Sequence, residues 1–166
     1  MEKFKVLLVD DEPDILEIIS YTLKSDGYLV YTAENGVKAI KLAKKIKPHL
    51  IILDLMMPEM DGIEACEIIR NDSEIGNALI VFLSARGEDY SQVAGFNAGA
   101  DDYITKPIKP KLLKSKIKSL LRRISQNEEE VIEIGSLTID RSGYKVSLNG
   151  KDISLPRKEF ELLFLL

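Results

Sequence analysis

Apolar runs of strand length alternate with helix-period patterns along the first three quarters of the chain. The strand candidates are Lys5–Val9 (KVLLV), Leu29–Ala33 (LVYTA), Leu50–Leu55 (LIILDL), Leu79–Ser84 (LIVFLS) and the short Tyr103–Thr105 (YIT). Three of these are continuous apolar stretches, the pattern of strands covered on both faces. Between them lie helical spacings. Ile15, Ile18, Ile19, Thr22 and Leu23 follow Pro13, a residue suited to a helix's first turn. Val37, Ile40 and Ala43 follow Asn35–Gly36; Ile63, Cys66 and Ile69 follow Asp61–Gly62; Val93, Phe96 and Gly99 precede Ala100. Leu113, Ile117, Leu120 and Ile124 form one apolar stripe with lysines around it. Five strand-then-helix units predict an α/β fold, with a parallel sheet carrying helices on both faces. Past residue 130 the pattern changes to short strands, with turn signals at Arg141–Ser142–Gly143 and Asn149–Gly150. A helix then opens near Pro156.

Composition narrows the class. The 166 residues are 45% hydrophobic and 30% charged, as in a globular protein. A single cysteine, Cys66, excludes an internal disulfide and a cysteine-rich zinc site; its place on an apolar helical spacing makes it a core residue. The apolar runs fall far short of a membrane span, and the acids following VLLV come too early for a secretory leader. A cytoplasmic protein is expected. The net charge of −4 is a poor match to a basic nucleic-acid footprint, but it is unevenly distributed. Residues 1–108 carry 11 basic and 19 acidic side chains, residues 109–123 seven basic and no acidic ones, and residues 124–166 five basic and eight acidic. An acidic body is thus followed by a basic segment and an acidic tail, with the polar stretch Ser125–Glu130 reading as a linker.

Open sheets of this kind bind ligands beyond the carboxyl ends of their strands. Those ends carry Asp10, Asp11 and Glu12 after the first strand, Asp54 in the third, Ser84 closing the fourth and Lys106–Pro107 after the fifth. Two unit charges 4 Å apart repel by about 4 kcal/mol at an effective dielectric near 20. Carboxylates gathered this closely therefore call for a hard divalent cation and a nearby ammonium. Lys106 supplies the ammonium, and a metal shared with a phosphoryl group would neutralise charge during transfer. A carboxylate can itself be the nucleophile and form an acyl phosphate. Each residue alone has a bland reading: a cap for the aspartate pair, ordinary surface for His49, loop packing for Met56, Met57 and Met60. Asp54 inside an apolar run is the strongest single signal, because a buried charge needs a partner.

The motifs VLLVDDEPD (Val6–Asp14), LIILDLMMPEMDG (Leu50–Gly62), FLSARG (Phe82–Gly87) and GADDYITKP (Gly99–Pro107) together resemble the receiver domain of bacterial two-component response regulators. The resemblance covers residues 1–123. It implies a flavodoxin-like doubly wound (βα)5 fold with strand order 2-1-3-4-5. It implies Asp54 as phospho-acceptor for a sensor histidine kinase, and Mg²⁺ (or Mn²⁺) held by Asp11, Asp54 and the Met56 backbone carbonyl, with Asp10 acting through water. Lys106 and Ser84 would contact the phosphoryl group, Tyr103 would be the aromatic switch residue, and the bond before Pro107 would be cis. No ordinary enzymatic activity is expected beyond slow loss of the protein's own phosphoryl group.

The tail, Val131–Leu166, resembles the start of the winged-helix effector domain of the OmpR/PhoB subfamily. This gives three expected parts: a receiver at 1–123, a linker at 124–130 and an incomplete effector domain at 131–166. DNA binding and control of transcription would belong to a longer regulator, since the recognition helix and wing would follow Leu166. The resemblance also implies homodimerisation on phosphorylation through the fourth helix, fifth strand and fifth helix. Gln92 and Leu112 stand where an Arg–Glu pair is expected; Asp101, Lys116, Arg122 and Arg123 remain as candidate dimer residues. Three other readings compete. A haloacid dehalogenase-type phosphatase would need an acid two residues after the nucleophile, where Met56 stands. A nucleotide site would need a glycine-rich loop in place of DDEPD. A receiver-like module that never becomes phosphorylated would not need so complete a set.

Overall fold

The structure, a computed structural model, describes residues 3–85, 97–126, 131–134, 137–140, 145–148 and 151–153. Five strands, β1 (Lys5–Val9), β2 (Leu29–Ala33), β3 (Leu50–Asp54), β4 (Leu79–Ser84) and β5 (Asp102–Thr105), form one parallel sheet in the order β2-β1-β3-β4-β5. This is the flavodoxin-like doubly wound arrangement. Its described helices are α1 (Pro13–Ser25), α2 (Gly36–Ile46), α3 (Gly62–Arg70) and α4 (Pro110–Gln126). The helix expected around Val93 and Phe96 falls outside the described residues.

The continuous apolar runs divide by the strand's period of two. Leu7, Val9, Ile51, Leu53, Ile80 and Phe82 face one way, into a core with Ala39 and Ala43 of α2 and Ala65, Cys66 and Ile69 of α3. Val6, Leu8, Leu50, Ile52, Val81 and Leu83 face the other way, against Ile19 and Leu23 of α1 and Leu113, Ile117 and Leu120 of α4. Truncating one of these fully buried leucines to alanine costs about 2–5 kcal/mol, so both faces specify the register.

Local signals set the helix ends. Asn35 Oδ1 accepts from the Lys38 amide at 2.9 Å and Asp61 Oδ1 from the Glu64 amide at 2.8 Å, capping α2 and α3. Asp10 Oδ1 accepts from the Glu12 amide at 2.9 Å, and Pro13 begins α1. Helix α4 runs to Gln126, so Ser125 and Gln126 are helical rather than linker. The apolar stripe explains this, since Ile124 still packs on the α1–α4 core.

In the tail, β6 (Val131–Ile134), β7 (Leu137–Asp140), β8 (Lys145–Leu148) and β9 (Lys151–Ile153) form an antiparallel sheet in sequence order. The helix expected near Pro156 lies outside the described residues. No helix among the described residues is long and apolar enough to cross a membrane.

Candidate functional site

Strand register assembles the site. Val9 pairs with Leu53, Asp54 with Leu83 and Ser84 with Thr105, so Asp10, Asp54, Ser84 and Lys106 reach one edge of the sheet from four strands. The Lys106 amide donates to the Ser84 carbonyl at 2.7 Å, which extends the ladder by one residue. The Lys106–Pro107 peptide bond is cis.

The Lys106 ammonium stands between two buried carboxylates, 3.2 Å from Asp10 Oδ2 and 3.4 Å from Asp54 Oδ2, with Glu12 Oε1 at 3.8 Å. Asp10 is fully buried and Asp54 only 4% exposed. Burial pushes the Asp54 carboxyl up to about 6, and the neighbouring Asp10 charge adds to the rise; the Lys106 ammonium and the Met56 amide oppose it. Burial alone would pull the Lys106 ammonium down, but the Asp54, Asp10 and Glu12 carboxylates outweigh it and hold Lys106 above the usual lysine range. Asp54 Oδ1 accepts from the Met56 amide at 3.2 Å. The Met56 side chain is exposed, while Met57 is buried. Ser84 is 1% exposed, and Tyr103 is half-buried with the Lys116 ammonium 5.7 Å from its ring centre.

The residues present fit a hard cation. Asp10, Asp11 and Glu12 each offer a carboxylate oxygen, all within 4.8 Å of one another. Asp10 Oδ2 is a buried atom that the Lys106 ammonium meets in an ion pair at 3.2 Å. An all-oxygen set with more carboxylate charge than one ammonium can balance suits Mg²⁺. Asp54 is not in this triple, and it meets Asp10 across Lys106.

The loop from Leu55 to Asp61 is closed by the Gly62 amide on the Leu55 carbonyl at 3.0 Å. A β-carbon on Gly62 would lie 2.4 Å from the Asp54 carbonyl oxygen, so only glycine permits this turn beneath the site. Farther along, Met60 packs on Gly36 at the start of α2.

Two structural residues escape sequence reasoning. Arg70, 9% exposed, donates to the Gly99 carbonyl at 2.8 Å, the Gly76 carbonyl at 2.9 Å, the Ala78 carbonyl, and Asp101 Oδ2 at 2.9 Å. The Asp101 carboxylate therefore turns inward, and its side chain is 8% exposed. That corrects its reading as a dimer-surface residue: a buried guanidinium needs its charge met more than the surface needs another acid. His49 is not ordinary surface either. Its Nδ1 accepts from the Lys5 amide at 2.9 Å, and its ring meets Phe4 edge-on at 5.2 Å. A lone histidine before a strand carries no signal for such a role.

Of the remaining dimer candidates, Lys116 is tied to Asp102 at 3.3 Å and to the Tyr103 carbonyl at 3.0 Å. Leu112 is 46% exposed, and Arg122 and Arg123 are exposed. Gln92 lies outside the described residues.

A model of the response regulator receiver domain matches residues 6–118. The DNA-binding response regulator MtrA of Mycobacterium tuberculosis is 37% identical over 159 residues, 96% of this chain and 68% of MtrA. The transcriptional regulatory protein ResD of Bacillus subtilis is 40% identical over 170 residues, 98% of this chain and 70% of ResD. Among solved structures, Vibrio cholerae chemotaxis protein CheY4 gives a TM-score of 0.69 at 32% identity, covering 72% of this chain and 99% of CheY4. The Thermotoga maritima OmpR/PhoB homolog DrrB gives 0.66 at 35% identity, covering 99% of this chain and 72% of DrrB.

Proposed function

This chain belongs to the response regulator receiver domain family, and from that premise we propose that Asp54 accepts a phosphoryl group from a histidine kinase. The observation that carries the proposal is the buried Asp54 carboxylate, 3.4 Å from an ammonium that it shares with Asp10. One Asp54 oxygen attacks phosphorus as the donor's P–N bond breaks, and the imidazole leaves and takes up a proton. The product is an aspartyl phosphate. Lys106 and the Met56 amide orient the Asp54 carboxylate, and Lys106 then faces the new phosphoryl oxygens. Receiver domains bind Mg²⁺ at an acidic cluster; here Asp10, Asp11 and Glu12 offer the grouped oxygens, with Asp54 and the Met56 carbonyl completing the proposed set. The bound ion supplies charge neutralisation for the incoming phosphoryl group.

A phosphoryl group adds roughly −1.5 to −2 charge and strong acceptors beside Lys106 and Ser84. In the proposed switch this draws Ser84 toward the phosphoryl group and lets the Tyr103 ring move, which changes the face made by β5, α4 and the helix expected before them. Dimerisation follows through that face, where Leu112, Arg122 and Arg123 are exposed. The receiver, expected at 1–123, extends in this proposal to the end of α4 at Gln126, and the β6–β9 sheet is the front of a winged-helix effector domain. DNA binding and control of transcription are its proposed output, and the place of action is the cytoplasm. Turnover is limited to slow hydrolysis of the chain's own aspartyl phosphate.

The test is labelling by a small-molecule phosphoryl donor with and without Mg²⁺, beside Asp54→Asn. Mg²⁺-dependent label lost in the variant supports the assignment; equal label in the variant removes it. Beryllofluoride with sedimentation velocity then reads out dimerisation.

A further inference from the structure

Among the described residues the end of the sheet formed by β2 is open, and a shallow, lysine-lined groove runs along it. In the order β2-β1-β3-β4-β5 the outer side of β2 has no neighbouring strand among the described residues. Helix α1 packs on one face of the sheet and α2 on the other, so they flank this edge as two walls. A cavity of about 550 Å³ lies against it, with Thr32 and Ala33 of β2 and Leu16 of α1 on one side, and Leu42 between the lysines of α2 on the other. A second cavity of about 450 Å³ continues past Leu16 and Thr32 to Ser20, Tyr21 and Lys24 of α1. The Ser20 hydroxyl there is buried without a hydrogen-bond partner, a condition that native structures rarely leave unexplained. Tyr21 is 78% exposed.

Charge decides what fits. Lys38, Lys41 and Lys45 line the α2 side, and helix α2 contains no acidic residue. Lys24 extends the positive lining on the α1 side, while Glu17 and Glu34 are its acids, Glu34 being paired with Lys38. The strand itself, LVYTA, has none of the prolines or charges that usually blunt an exposed edge. A second copy adding to β2 would bring lysines against lysines. An acidic segment would meet opposite charge.

We propose that the outer edge of β2 is a docking site for an extended acidic segment of a partner protein, added as a sixth strand between α1 and α2. Alternate side chains of such a strand point to opposite faces. One set meets Leu16 and Tyr21, and the other places carboxylates beside Lys38, Lys41 and Lys45. Main-chain hydrogen bonds to β2 supply affinity and the two walls supply specificity.

The experiment uses the whole chain and a fluorescein-labelled peptide alternating glutamate and valine, read by fluorescence anisotropy. Expected are binding about tenfold tighter than to the lysine–valine counterpart and a comparable loss in K41E/K45E, from opposite-charge pairing replaced by repulsion. A peptide with a central proline should bind no better than the lysine–valine one, because proline cannot donate to a ladder. Amide shifts on titration should centre on Leu29–Ala33. Equal binding of both peptides, no binding, unchanged affinity in K41E/K45E, or shifts centred elsewhere would each overturn the proposal. So would tighter binding of oligothymidylate than of the acidic peptide, or sedimentation showing that the K41E/K45E-sensitive species is a dimer of this chain.

Discussion

The Arg70 guanidinium and the Asp101 carboxylate form a buried ion pair at 2.9 Å that ties the end of α3 to the turn before β5. Asp101 Oδ2 also accepts from the Ile80 amide at 2.8 Å, and the Asp101 amide donates to the Ile80 carbonyl at 2.8 Å. The pair thus holds β4 and β5 in register on the sheet side remote from α1.

Breaking it by removing one partner leaves a buried charge uncompensated. Asp101→Ala should cost about 3–5 kcal/mol in urea unfolding. Arg70→Lys should recover little, because an ammonium cannot reproduce a fork that reaches three carbonyls and a carboxylate. A cost under about 1 kcal/mol for Asp101→Ala, the range of a surface pair, would show that the pair is not buried in solution.

Asp54 imposes a pH dependence in metal-free protein. Its folded-state carboxyl is raised from 3.8 to about 6, so between those values the folded state binds more protons than the unfolded state. Stability therefore falls as pH rises through this window, and the cost is fully present above it. Asp54→Asn should be more stable than the parent at pH 7.5, with the gap closing toward pH 4. Melting curves across that range check it; a gap that widens on acidification would reverse the sign.

Metal should stabilise the fold through the acidic cluster. At a hundred times its dissociation constant, a ligand that binds only the folded state adds about 2.7 kcal/mol. Asp11 is exposed, so Asp11→Asn should fold normally and lose most of the Mg²⁺-dependent rise in Tm. An undiminished rise in that variant would place the ion elsewhere.

Gly62 and Gly27 should separate stability from function. Gly62→Ala forces a β-carbon toward the Asp54 carbonyl, costing about 1–3 kcal/mol by overpacking, and should impair phosphoryl acceptance as well. Gly27 has φ +91° with open space around it; Gly27→Ala should cost about 1–2 kcal/mol in backbone strain and leave labelling intact.

Much of this architecture was readable before folding. Apolar runs such as LIIL and LIVFL announce strands covered on both faces, because burying them on one face alone would expose the other. Asn35, Asp61 and Pro13 mark helix starts through local hydrogen bonding and fixed backbone angles. The acids at the strand ends were legible for the same reason, since they interrupt apolar runs where a charge is costly. Glu12 was visible as a third acid, but its approach to Lys106 was not.

Chain order alone determined the strand sequence, the helix faces and the chemistry available at the sheet edge. Tertiary structure decided which charges meet. Arg70 lies 31 positions from Asp101 and no local pattern links them; Lys106 and Asp54, 52 positions apart, could be matched in advance only because both follow strands of one parallel sheet. Ion pairs form wherever packing brings desolvated charges together, so the inward direction of Asp101 follows from the completed sheet.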